Sequence, residues 1–190
     1  MTVSTGPADV LTRLRQETRP HHDALEANEF NQQLKDGTLT EAATARFLAK
    51  LYGFVVPFEQ LLRARAAEFG PEWELPRRYR AALLRQDLPA TDALPLAPNL
   101  PPLHTRAQLL GALYVLEGST LGGQVIARQL AKNGIPTRAY FSGHAEQTGP
   151  LWKSFVALLA QEATSAATTD AIVASAILTF QRLHAWIEQA

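Results

Sequence analysis

Tyr114-Val115-Leu116-Glu117-Gly118-Ser119-Thr120-Leu121-Gly122-Gly123-Gln124 is the stretch on which the reading of this chain turns. It lies in a helix that starts at Thr105-Arg106-Ala107-Gln108, a capping box in which the threonine and the glutamine can each satisfy a free backbone donor. Leu109, Leu110, Leu113, Leu116, Leu121, Val125, Ile126 and Leu130 keep helical spacing, and Asn133-Gly134 followed by Pro136 is a stop signal. Three glycines in the middle of such a helix are costly. Each loses about 1 kcal/mol relative to alanine, roughly 3 kcal/mol together, so something must offset them. Gly118 and Gly122 are one turn apart and share a face, which leaves a bare backbone strip against which a planar ligand could lie. The same spacing also suits tight helix–helix packing or a kink, and spacing alone leaves both open. The segment is not a phosphate loop, because it lacks the G-x-G-x-x-G order and the Walker lysine.

Outward from this helix, the chain predicts more helices. Leu11, Leu14, Thr18 and Leu25 share one face of a first helix from about Pro7 to Asn28. Pro20 within it predicts either a kink or a helix that starts at Thr18 as N-cap. Thr40 caps a long amphipathic run from Phe47 to Leu62 that Pro57 should bend. A shorter helix is expected over Pro76 to Arg85, then a proline-rich surface connection through Pro89, Pro95, Pro98, Pro101 and Pro102, and two last helices over Ala145 to Gln161 and Thr169 to Gln189. No alternating β-branched stretch and no repeat competes. The fold class is all-α, as one domain over residues 1–190.

Composition narrows the ligand. The chain has 190 residues, 46% of them hydrophobic, enough for one real core. Its 18 basic residues balance 18 acidic ones, so no net field draws it to nucleic acid or a membrane, and a small molecule is the better default. Met1 to Val10 lacks the sections of a secretion signal and no apolar run is long enough to span a bilayer, so a cytoplasmic location is expected. With no cysteine, and Met1 the only methionine, disulfides, iron–sulfur clusters and thiolate-ligated or covalently attached haem are excluded. Any axial haem ligand must be histidine or tyrosine.

Leu14-Arg15-Gln16-Glu17-Thr18-Arg19-Pro20-His21-His22-Asp23-Ala24-Leu25-Glu26 is the second informative stretch. Arg15, His22 and Glu26 fall together at the edge of the apolar stripe, where a neutral imidazole could bind a metal. Solvated or hydrogen-bonded histidines are the more frequent case, and periodicity does not choose between His21 and His22.

Taken together, L-R-x-x-T-x-x-x-H-x-x-L-E over Leu14 to Glu26 and E-G-S-x-L-G-G over Glu117 to Gly123 resemble the haem oxygenase family, and the likeness spans Leu11 to Trp186. The resemblance implies a helical fold with haem between a proximal and a distal helix. It implies His22 as iron ligand, Glu26 holding the imidazole, and Gly118 and Gly122 as the distal glycines. Arg15, Tyr114 and Lys153 fall where similar proteins bind haem propionates. Ser119 stands where mammalian-type members carry aspartate, which brings the chain closer to a bacterial branch.

The implied reaction opens haem, substrate and cofactor together, to biliverdin, carbon monoxide and ferrous iron with O2 and external electrons. The chain has no dinucleotide fingerprint, so a reductase or ferredoxin is the implied electron donor. A bilin-binding photoreceptor is one possible user of the product, and iron release is another role. The competing readings are a non-catalytic haem carrier or sensor and a non-haem enzyme on the same scaffold.

Overall fold

The computed structural model describes residues 7–189, with side chains from residue 10 onward. Most of the Met1 to Val10 segment therefore lies outside the described residues.

Helix α1 (Pro7–Glu26) runs through Pro20 rather than restarting at Thr18. Pro20 and Gln16 are both exposed, so the carbonyl that loses its donor is on the wet side of the helix. Thr18 is not a cap: its buried hydroxyl donates back to the Leu14 carbonyl at 2.6 Å. Asn28 then separates α1 from α2 (Glu29–Asp36), its amide donating to the Leu25 carbonyl at 2.7 Å and its Oδ1 accepting from the Asn31 amide at 2.9 Å. The sequence reading missed α2, whose eight residues bury only Phe30 and so carry little periodicity.

Helix α3 (Glu41–Ala64) starts at Thr40 as expected, the hydroxyl accepting from the Ala43 amide at 3.1 Å. Pro57 deprives the Gly53 carbonyl of its helical donor. The Ala97 amide, from the proline-rich connection, donates to that carbonyl instead at 2.9 Å. Gly53 permits the approach, since a Cβ there would stand 2.5 Å from the Pro95 carbonyl oxygen. The connection is thus tied to the core.

The single helix expected over Pro76 to Arg85 is two: α4 (Leu75–Arg78) and α5 (Ala81–Asp87). Buried Glu59 makes the break, because its carboxylate accepts the amides of Arg80 and Ala81. Helix α6 (Arg106–Lys132) forms with the full Thr105–Gln108 capping box. The short α7 (Ala139–Ser142), which was not foreseen, precedes α8 (Thr148–Glu162) and α9 (Ala166–Ile187).

Helix α9 packs against α6 and α1. Gly111 lets α6 and α9 meet, as a Cβ there would lie 2.3 Å from the Ile172 carbonyl oxygen, and Ser175 donates to the Gln108 carbonyl at 2.7 Å. Gly123 does the same for α7, with a Cβ 2.9 Å from the Phe141 carbonyl oxygen. No strand occurs among the described residues. By length and composition α6 is the one described helix apolar enough to cross a membrane, but 56% of that stretch is buried inside the protein.

Candidate functional site

A cavity of about 590 Å³ opens between α1 and α6, within the size range of small-molecule sites. Arg15, Thr18 and His22 line it from α1, Tyr114, Gly118, Ser119 and Gly122 from α6, and Phe180 and Leu183 from α9. Leu51, Val55 and Ile126 add apolar wall.

The two readings of the glycines separate here. A Cβ on Gly122 would meet nothing within 4 Å, and one on Gly118 would meet only the Trp152 ring, at 3.6 Å. Neither is small on account of a protein neighbour. Close packing accounts for Gly111 and Gly123, whereas Gly118 and Gly122 leave bare backbone facing open space.

Across from that strip stands His22, and not His21. Its ring packs edge-on to Phe180, with centroids 5.8 Å apart. Its Nδ1 lies 3.6 Å from an Asp23 oxygen and its Nε2 3.7 Å from a Glu26 oxygen, long for hydrogen bonds. The side chain is 47% exposed, so the imidazole is committed neither to the core nor to a strong partner. Arg19, which also lines the cavity, hydrogen-bonds Asp23 at 3.0 Å and, with a smaller contribution from His22, holds that carboxyl below its usual range.

Arg15 is exposed at the cavity. Burial raises the Tyr114 phenol above its usual range while the Arg15 charge opposes the rise. Tyr114 is thus a neutral donor at neutral pH.

At the other end, Ser119 donates to the Leu116 carbonyl at 2.7 Å. Arg80 binds the same carbonyl at 2.6 Å and reaches the Ser119 hydroxyl at 3.2 Å, with its guanidinium 4.7 Å from the centre of the Tyr140 ring. Sequence reasoning missed Arg80, Tyr140 and Trp152 as cavity residues. Arg80 sits in a break between short helices, within the arginine-rich run Arg77-Arg78-Tyr79-Arg80, where no period marks one residue out. Lys153 is not brought to the cavity. It is exposed on α8, and its neighbour Trp152, about 100° around the helix, lines the wall instead.

The cavity of this helical protein thus has bare α6 backbone in one wall and the uncommitted His22 imidazole in another. Comparison with known proteins gives the family. A family model described as heme oxygenase matches residues 8–95. A curated protein named heme oxygenase, from Xanthomonas campestris pv. campestris (strain 8004), is 33% identical over 161 residues, covering 80% of this chain and 93% of that protein. The chain belongs to the haem oxygenase family. The fold is shared with the heme oxygenase of Leptospira interrogans, at TM-score 0.75 and 17% identity, covering 95% of this chain and 99% of that one. It is shared too with heme oxygenase-1 of the cyanobacterium Synechocystis sp. PCC6803, solved in complex with heme, at TM-score 0.72 and 16% identity, covering 94% of this chain and 90% of that one.

Proposed function

We propose that this cavity holds one haem and that the enzyme opens it to biliverdin, carbon monoxide and ferrous iron. The observation that carries the assignment is the pairing, across one cavity, of an uncommitted imidazole on α1 with two glycines on α6 that no protein neighbour requires. Haem supplies, when bound, both the metal that activates O2 and the ring that is oxidised.

The chain's own residues do the rest. His22 offers one ring nitrogen to the iron, and the N–H that remains turns to a carboxylate, Glu26 lying near one nitrogen and Asp23 near the other. The backbone at Gly118 and Gly122 lets the flat face of the substrate approach α6 and restricts the space above it. Arg15 and Tyr114 are placed to bind propionates, the arginine through a charge-assisted bond. The propionate assignment rests on these two and not on Lys153. Ser119, held by Arg80, presents a hydroxyl at the distal wall where other members carry a carboxylate.

Electrons come from a separate reductase or ferredoxin, in the cytoplasm. Biliverdin then passes to a bilin-binding photoreceptor or is the by-product of iron recovery. Haem added to the purified protein, with reductant in air, should lose its Soret band as bilin absorption grows. A haem complex stable under those conditions would identify a carrier, and no complex at all would identify a non-haem protein.

A further inference from the structure

The plane of the His22 ring is the property that its own helix leaves open. Torsion about the bond that carries an imidazole is broad and roughly two-fold, and this side chain is 47% exposed, so the plane must be set from outside. The two carboxylates beside it are poor guides. Asp23 and Glu26 are 56% and 61% exposed and stand 3.6 and 3.7 Å from opposite ring nitrogens. Both oxygens of Asp23 are already held at 3.0 Å by Arg19. All three of these neighbours belong to α1 itself, so none of them refers the ring to another wall of the cavity.

Phe180 differs in kind. It belongs to α9, is 6% exposed, and meets the imidazole edge-on, with centroids 5.8 Å apart and planes at 71°, within the range that favours such a pair. Its helix is fixed to α6, which carries the glycine strip, where Gly111 admits the Ile172 backbone and Ser175 donates to the Gln108 carbonyl. It is also in register with α1. Arg13 pairs with Asp170 at 2.7 Å, and nine residues on along α1, ten along α9, His22 meets Phe180. The two helical rises, about 14 and about 15 Å, agree, so α1 and α9 run in the same sense and the ring contact belongs to a continuous interface.

We propose that Phe180 is a positioning residue that fixes the plane of the His22 imidazole relative to the glycine wall of α6. The inference rests on the haem reading of the cavity, with His22 as the ligand. A ligating imidazole faces the pyrrole nitrogens unequally according to its plane, so a ring held in one plane gives the iron a single in-plane axis, whereas a rotating ring averages it. Phe180 carries no proton and no electron; it acts through His22 by shape. Because Phe180 also lines the cavity, a direct haem contact has to be separated from the orientation of the ring, and the apo protein does so.

In the apo protein, NMR should show contacts between the ring protons of His22 and Phe180, and the His22 ring should be more ordered than that of His21. Phe180→Leu should bring the two histidines level. Phe180→Tyr, which keeps the ring, should preserve the difference, and so should Val173→Ala, buried on the same helix but outside the cavity wall. In the ferric haem complex with cyanide, the spread of the haem methyl resonances reports the imidazole plane; it should change in Phe180→Leu and hold in Phe180→Tyr. Absence of the ring contact in wild-type apo protein, a His22 ring as mobile as His21, or an unchanged methyl spread in Phe180→Leu overturns the role of Phe180. Should Phe180→Leu fail to fold, the wild-type contact and ring order still decide. Failure of the wild-type protein to bind haem, or full binding in His22→Ala, overturns instead the reading on which the inference rests.

Discussion

Gly118 faces the ring of Trp152 with room for a methyl between them, since a Cβ there would stand 3.6 Å from the ring, an ordinary contact. Alanine at Gly118 should therefore be tolerated by the fold, and at Gly122, with nothing within 4 Å, it should stabilise by up to about 1 kcal/mol through helix propensity. Turnover should fall in both, because the methyl enters the space above the substrate. Gly123→Ala meets the Phe141 carbonyl at 2.9 Å and should cost about 1–3 kcal/mol. Apo melting temperatures and single-turnover spectra check the contrast; wild-type turnover in both cavity variants would remove the glycines from the site.

His22→Ala should weaken haem binding by roughly 10- to 100-fold or more, at least the loss typical of an outer-sphere partner. Added imidazole should restore part of the activity, and His21→Ala should match wild type. Haem titration of the two variants is the measurement, and the reverse order would move the ligand by one residue.

Arg15→Glu should redistribute the biliverdin isomers while leaving stability within about 1 kcal/mol, because the side chain is exposed. Chromatography of the products alongside urea unfolding distinguishes this from a structural role, in which stability would fall and the isomer ratio would hold.

Arg78→Met leaves the Glu117 carboxylate buried without its partner and should cost about 3–5 kcal/mol, more than the double change Arg78→Met with Glu117→Leu. Burial raises the Glu117 carboxyl above its usual range, and the attraction of Arg78 and Arg80 offsets only part of it. The folded state then holds this proton more tightly than the unfolded chain. Its contribution is fully present below the ordinary glutamate range and is lost as pH rises through the raised folded value. Urea unfolding across pH should show that decline flattened in Glu117→Gln.

The amino-acid order determined the helices whose boundaries are local chemistry. Thr40 and the Thr105–Gln108 box cap α3 and α6 through groups three residues away, and Gly134, at φ 69°, ends α6 in the left-handed region. It also determined the motif pair around His22 and Gly118, because those residue types sit at fixed spacings within single helices. Contacts distant in sequence were decided by the tertiary structure. Pro57 reads as a bend, yet the Gly53 carbonyl it frees is met by Ala97, 44 positions on. Glu59 splits α4 from α5 by capping amides 21 and 22 residues away. Arg80 joins the cavity wall through Ser119, 39 residues along. Which glycines serve packing and which face the cavity depends on what stands opposite each, and periodicity along one helix carries no information about the opposing surface. For the same reason periodicity leaves His21 and His22 level; the motif spacing points to His22, and the packed structure puts that residue, and not His21, on the cavity.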